Sequence, residues 1–398
     1  MLNFINKKFL IYGYGMSGKS CLNYLKKKNS VKIFDDNLKK NFQIKKYVIK
    51  KKNLIKTNFD YIILSPGIDI NKCSIKKYLN KNKKKVVSDL DLFSLIYNDN
   101  LKITITGTNG KSTTAKLIYE ILKYAKKDVR LVGNIGKPVL NERKVKPKTI
   151  FVIEASSYQI EYSKYYVTDI ALFLNISPDH LERHGTFSKY ISAKIKLITK
   201  QNSNGIAFIC KDNKFLNKYL RKKKVKCKII TVSPNFNNNL KLNIKNNYFN
   251  NSNNLTNLKF ALEVSKLFNI KYLYIKKAIR NFKGLNFRQQ ILFNNKKLQI
   301  INDSKSTSFS SSINLLKSFK NIYWILGGLK KKGDKFNMCQ KYFKNINAYI
   351  IGNDFNFFKK KLENKINLKL CYSLKNALNQ IVLDVKNQKF KVNIIFSP

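Results

Sequence analysis

The segment Lys102-Ile-Thr-Ile-Thr-Gly-Thr-Asn-Gly-Lys-Ser-Thr-Thr-Ala115 leaves the chain little choice of fold, because it reads as a short strand, a glycine loop and a helix. Gly107 and Gly110 let the loop N–H groups, those of Thr108 and Asn109 among them, turn toward a polyphosphate. Lys111 reaches the outer oxygens, Ser112 offers a hydroxyl to Mg²⁺, and Thr113 follows in the first helical turn. A helix from Ser112 to about Tyr124 adds the positive end of its dipole. The usual G-x-x-x-x-G-K-[ST] spacing is not kept, since Ile105 stands where its first glycine would be. A bare Gly-Lys-Ser also occurs at Gly18-Lys19-Ser20, so the weight rests on the strand before the loop and the helix after it. The expectation is a nucleoside-triphosphate site in an α/β domain.

At 398 residues the chain has room for roughly two or three domains. Its 43% hydrophobic and 13% aromatic content describes a globular protein rather than a disordered basic tail. A net charge of +57 invites a nucleic-acid reading. Lysine is spread along the whole chain, however, arginine is rare, and Asn, Ile, Phe and Tyr are abundant as well. These residues share A/T-rich codons, so biased base composition accounts for most of the charge, and no specific nucleic-acid partner is expected. The cysteines at 21, 73, 210, 227, 339 and 371 form no C-x-x-C pair and suit a reducing compartment. There is no signal peptide and no apolar run of the roughly 20 residues a membrane helix needs. A cytoplasmic, soluble protein without membrane insertion is expected.

Strands alternate with helices throughout, which implies parallel sheets with ligands at their carboxyl ends. Residues 1–92 open with strand Phe9–Tyr12, the turn Gly13-x-Gly15-x-x-Gly18 and a helix over Lys19–Lys28. Strand Val31–Phe34 then ends at Asp35, and Tyr61–Leu64 runs into Ser65-Pro66-Gly67. The glycine turn either binds a nucleotide, with Asp35 on a ribose or base, or is a tight turn with no ligand. Residues 93–284 carry the phosphate loop, a strand ending at Glu154 and another ending at Asn175. Residues 285–398 include strands before Asn302-Asp303-Ser304-Lys305 and before Gly327-Gly328.

Both histidines of the chain lie in Ser177-Pro-Asp-His-Leu-Glu-Arg-His-Gly185. Either His180 and His184 share a helix face as metal ligands, or they satisfy a polar turn. Asp179 and Glu182 add oxygens better suited to Mg²⁺. Taken alone, Glu154 reads as a solvated strand end and Lys194 as one solvated lysine among many. No Gly-x-Ser-x-Gly elbow and no Cys–His pair argue for covalent catalysis by a side chain. The parts suit phosphoryl transfer.

Together these motifs resemble the Mur ligases, ATP-dependent enzymes that add amino acids to the peptidoglycan precursor. The resemblance rests on Thr106–Thr113, Glu154-Ala-Ser-Ser-Tyr-Gln159, Asn175–Gly185, Asn254-x-x-Asn257 and Asn302-Asp-Ser-Lys-Ser-Thr307, in family order over most of the chain. Gly13-Tyr-Gly-Met-Ser-Gly18 and the Leu326–Gly328 turn are closest to the D-glutamate-adding branch. The fold implied is three α/β domains: a Rossmann-like N-terminal domain, a central P-loop ATPase-type domain with a mostly parallel sheet, and a Rossmann-like C-terminal domain. Their implied tasks are binding the UDP substrate, ATP and the amino acid. The implied substrates are UDP-N-acetylmuramoyl-L-alanine and D-glutamate, joined through an acyl phosphate.

By matching position, Lys111, His180 and Lys194 would be catalytic. ATP would be held by Gly107, Thr108, Asn109, Gly110, Lys111, Ser112, Thr113, Asn254, Asn257, Arg288 and Asp303. Mg²⁺ would sit on Ser112, Glu154, His180 and Lys194, the last carbamylated by CO₂. Gly15, Met16, Ser17, Asp35, Gly67 and Asn134 would hold the uridine substrate, and Lys305, Thr307 and Lys331 would face the amino-acid side. A monomer is expected. Two departures lie within motifs: Asn251-Ser-Asn-Asn254 for Gly-x-His-Asn, and Asn286-Phe-Arg288 for Pro-His-Arg. The third is the end at Phe396-Ser397-Pro398, where the family continues into a segment that helps bind D-glutamate, so the third domain reads as truncated. The alternatives are a truncated or decayed homologue that binds nucleotide without turnover, and a ligase adding another amino acid.

Overall fold

The computed structural model describes residues 4–38, 42–233, 246–249, 252–329 and 334–398. Three sheets account for its strands. The first contains Lys8–Tyr12 (β1), Ser30–Phe34 (β2), Tyr61–Leu64 (β3) and Val86–Val87 (β4), all parallel in the order β2-β1-β3-β4. Period-two alternation explains why it needs cover on both faces. Phe9 and Ile11 enter one apolar core, while Leu10 and Tyr12 enter the core on the opposite face.

The second sheet contains Lys102–Thr106 (β5), Val129–Gly133 (β6), Ile150–Glu154 (β7), Ile170–Phe173 (β8), Ile206–Cys210 (β9) and Lys228–Val232 (β10). All are parallel in the order β10-β9-β8-β5-β7-β6. Strand β5 is central, with β8 and β7 on either side, so the loop after it opens at the carboxyl edge where ligands of such sheets bind. One contiguous core joins this sheet to the first, running from Phe9 and Leu90 to Phe151 and Ile198.

The third sheet contains Gln290–Asn294 (β11), Leu298–Asn302 (β12), Ile322–Gly327 (β13), Ile346–Ile351 (β14), Asn367–Tyr372 (β15) and Val392–Phe396 (β16). Its order is β11-β12-β16-β13-β14-β15, parallel except for the β11 edge. Alternation again divides its faces: Ile322, Trp324 and Leu326 meet one core, Tyr323 and Ile325 the other. By contacts the chain forms two compact units, Met1–Ser233 with Phe260–Ile275, and Pro234–Lys259 with Lys276–Pro398. The first two sheets lie in one unit and the third in the other.

The α/β class and parallel sheets are as expected. The first helix differs from its expected bounds. It spans Met16–Leu25, because the turn closes immediately after its Gly15 cap.

Candidate active site

Strand β5 is buried along its whole length and delivers Thr106 to the carboxyl edge. The loop then turns through Gly107 (φ +151°) and Gly110 (φ +83°), and Gly110 caps the Lys111–Tyr124 helix. A side chain at Gly107 would crowd Leu174 Cβ at 3.2 Å and the Asn175 backbone at 3.3 Å, and would be strained at this φ. The loop is clamped from the end of β8. Asn175 Oδ1 accepts from the N–H groups of Thr108 (3.2 Å) and Asn109 (2.8 Å), and its Nδ2 donates to Asn109 O at 2.9 Å. Thr108 Oγ1 bonds Ser177 O and the Tyr190 hydroxyl, each at 3.2 Å.

Two ammonium groups lie on the loop carbonyls. Lys111 Nζ donates to Gly107 O (3.0 Å) and Thr108 O (2.8 Å), and Lys194 Nζ donates to Gly107 O at 2.8 Å. Lys194 comes from the amphipathic helix Phe187–Thr199 and is 1% exposed, not the solvated lysine that composition suggests. Its ammonium lies 5.0 Å from the Tyr190 ring centroid. Burial, and then the charge of Lys111, holds it well below the usual lysine range.

Glu154 ends β7 with no exposure at all, and so also departs from the solvated reading. Its Oε2 accepts from Ser112 Oγ at 2.7 Å and its Oε1 from Asn134 Nδ2 at 2.8 Å. The structure thus unites Ser112, Glu154 and Asn134, with Lys111 and Lys194 sharing the Gly107 carbonyl on the same loop. A buried carboxylate beside a phosphate-loop hydroxyl suits Mg²⁺, a hard cation that takes oxygen ligands. Among the described residues no three His, Cys, Asp or Glu side chains form a metal cluster.

The two histidines differ in exposure. His180 caps the turn Leu181–His184 in the left-handed region (φ +54°) and remains part-exposed, with Nε2 3.4 Å from Asp179 and Nδ1 3.6 Å from Glu182. His184 is buried, with Nε2 3.0 Å from Ser157 Oγ and its ring packed on Tyr158 and Tyr190. Burial, with Arg183, His180 and Lys194 adding repulsion, lowers its pKa to about 4.

In the first sheet the glycines divide by task. A Cβ at Gly18 would lie 2.0 Å from Gly13 O, and one at Gly13 would lie 2.7 Å from Ser65 Cβ, so both serve strand–helix packing. At Gly15 and Gly67 a Cβ would meet nothing within 4 Å, so these two face open space. Met16 is 79% exposed beside them. Asp35 is drawn into the turn itself, accepting from the N–H groups of Tyr14 (2.6 Å) and Asn37 (2.9 Å). The Ser17 hydroxyl donates to buried Asp89 at 2.8 Å.

The second unit gathers its own set. Asn254 Nδ2 donates to Tyr248 O (2.8 Å) and Gln289 Oε1 (3.2 Å), and Asn257 is buried on the same helix. Asp303 accepts from Gln289 N–H (3.1 Å) and Ser306 Oγ (3.0 Å), and burial raises its pKa to about 6. Arg288 lies between Phe287 and Gln289, both at positive φ, and Lys305 N–H donates to Phe287 O at 3.0 Å. Lys305 and Thr307 are exposed. Lys331 lies outside the described residues.

Sequence reasoning did not single out Tyr190 or the side chain of Asn175. The signal for Asn175 was its place at the end of a buried strand. Tyr190 had only its helical register with Lys194.

A model of the Mur ligase middle domain matches residues 105–275. The chain is 30% identical to the UDP-N-acetylmuramoylalanine–D-glutamate ligase of Rickettsia bellii, over 98% of this chain and 91% of that protein. It is 31% identical to the ligase of that name in Francisella tularensis, over 98% and 90%. Among solved structures, MurF of Thermotoga maritima in complex with ADP superposes with a TM-score of 0.61 at 15% identity, covering 100% of this chain and 93% of that one. MurC of Thermotoga maritima gives 0.57 at 14%, covering 98% and 95%. The structural likenesses establish a common fold. The sequence identity, sustained over nearly the whole of each relative, goes further, and the chain belongs to the Mur ligase family.

Proposed function

We propose that this chain is an ATP-dependent ligase that joins D-glutamate to UDP-N-acetylmuramoyl-L-alanine and releases ADP and phosphate. The observation that carries the reading is the buried group of Glu154, Ser112 and Asn134 at the head of the phosphate loop, with Lys111 and Lys194 on its carbonyls. The relatives' names supply the substrates.

Residues 1–92 would hold the uridine diphosphate through Gly15, Met16, Ser17 and Gly67, with Asp35 shaping the turn. Residues 93–284 would hold ATP, and residues 285–398 the amino acid, toward which Lys305, Thr307 and Lys331 are assigned. Arg288 and Asp303 would meet the nucleotide, with Asn254 and Asn257 on its adenine side. The loop N–H groups and Lys111 bind and orient the triphosphate, drawing charge from the group in transfer. Mg²⁺, when bound, neutralises phosphate charge, and Ser112, Glu154, His180 and Lys194 are the residues assigned to hold it.

The substrate carboxylate takes the γ-phosphoryl group to give an acyl phosphate. The D-glutamate amine then attacks the acyl carbon, phosphate leaves, and the amine gives up a proton. Lys194 is assigned as a carbamate: its ammonium first loses a proton, and the neutral amine then adds to CO₂ and loses a second, which turns a cation into an anion. Its lowered proton affinity favours that amine. We assign a monomer in the cytoplasm, and the six free cysteines suit that compartment.

The test is phosphate release from Mg²⁺-ATP with UDP-N-acetylmuramoyl-L-alanine, with D-glutamate present or omitted. D-glutamate-dependent release with the matching product mass is expected. ATP binding without turnover would replace this reading with that of a decayed homologue. Equal turnover with another amino acid would move the specificity.

A further inference from the structure

A single guanidinium ties the turn that carries His180 to the first sheet. Arg183 lies within Leu181–His184, and its side chain is 8% exposed. Nη2 donates to the Ile68 carbonyl at 2.6 Å and to the Tyr162 hydroxyl at 2.9 Å. The same hydroxyl accepts the Ile70 N–H at 3.4 Å. The guanidinium lies over the rings of Tyr158 (5.0 Å) and Tyr162 (5.3 Å). Among the described residues its Nε has no hydrogen-bond partner, and it lies buried 3.7 Å from Glu161 Oε2. The two hydrogen bonds from Nη2 and the aromatic stack therefore fix its place more than the ion pair does.

Both ends of this link lie close to assigned ligands. Ile68 follows Gly67 directly, and its N–H closes the Ser65-Pro66-Gly67 turn onto Ser65 O at 3.0 Å. On the other side, the N–H groups of Arg183 and His184 both return to His180 O, at 3.1 and 3.0 Å. Lys72 Nζ adds a second tie by donating to Glu182 O at 3.1 Å.

We propose that Arg183 is a positioning residue for the uridine site, holding the Gly67 loop in register with the turn that carries His180 through the Ile68 carbonyl. This rests on the assignment of Gly67 to the uridine diphosphate and of His180 to the metal side. Lysine is not equivalent, because an ammonium has no plane to stack on the rings of Tyr158 and Tyr162.

The experiment compares wild type, Arg183→Met and Arg183→Lys. Calorimetry measures UDP-N-acetylmuramoyl-L-alanine and Mg²⁺-ATP separately, and hydrogen exchange reads the Ile70 amide. In Arg183→Met we expect the dissociation constant for the uridine substrate to rise about tenfold, while that for ATP changes less than about twofold. Exchange at Ile70 should quicken. Added guanidinium ion should restore part of the lost affinity in Arg183→Met alone, and Arg183→Lys should recover less than half of it. If Arg183→Met does not fold, Arg183→Lys carries the test with the same selectivity for the uridine substrate. Unchanged uridine-substrate affinity in a folded variant overturns the proposal, as does a parallel loss for both ligands, which marks a merely structural residue. If the wild type binds ATP but not the uridine substrate, the functional reading itself fails. The two failures are thus distinct.

Discussion

Two buried ionisable groups allow the site to be tested one residue at a time. Lys194→Ala removes both the amine and any carbamate formed on it, and should lower kcat by about 10²-fold, the cost of losing one preorganised charge in a dry site. Added acetate should restore part of that rate by supplying an anion to the cavity, as a dose series of phosphate release would record. Asp303 gives a pH signature. Burial raises its carboxyl from 3.8 to about 6, so the folded state favours the protonated form. Its stabilising contribution is complete below the unfolded value and is lost as pH rises through about 6, a change of about 3 kcal/mol. Denaturant titrations at several pH values should therefore show the difference between wild type and Asp303→Asn changing across that window. A flat difference would mean that Asp303 titrates normally.

At the scale of elements, the first strand–turn–helix unit makes two glycine substitutions behave differently. Gly18→Ala must push a methyl against the Gly13 carbonyl and should lower the melting temperature. Gly15→Ala adds a methyl to open space at an ordinary backbone angle, so stability should hold. Affinity for the uridine substrate should still fall in Gly15→Ala, which thermal melts and binding isotherms on the same samples would separate. The reverse pattern would remove the ligand from this turn.

These elements also show which parts of the architecture sequence alone can reveal. Strands such as Phe9–Tyr12 and Tyr61–Leu64 were legible because each is a short apolar run that stops at a glycine or polar residue, whereas Val129–Gly133, Ile206–Cys210 and Lys228–Val232 were not singled out. The helix Asp89–Ile96 has a comparable local signature in its Ser88–Asp91 capping box. What Asp91 does next was not legible. Its carboxylate also accepts the N–H groups of Lys164, Tyr165 and Tyr166, more than seventy residues away. Arg183 on Ile68, Tyr190 on Thr108 and His184 on Ser157 were hidden for the same reason. Each is a contact between segments that no local pattern links. Burial of Glu154 and Lys194 was hidden too, because composition favours the solvated alternative for both.

For the whole molecule, a net charge of +57 should make stability depend on salt in the direction of self-repulsion. Between about 0.01 M and about 0.1 M salt the screening length falls from about 30 to about 10 Å, and the melting temperature should rise. The same change should strip off any polynucleotide that binds by charge alone. A melting temperature that falls with salt would show that attractive pairs dominate instead.

The lysines that cover carbonyl oxygens have a wider consequence. Lys102 caps Asn98 and Asn100, Lys164 caps Lys83 and Lys84, Lys196 caps Glu161, and Lys200 caps Ser163 and Lys164. In each contact an ammonium satisfies main-chain oxygen, an acceptor that every residue supplies whatever its side chain. A gene drifting toward AAA codons can therefore accumulate lysine without gaining matching acids, because the acceptors are already present. The fold can absorb mutational pressure of that kind as long as the added side chains reach the ends of helices and turns.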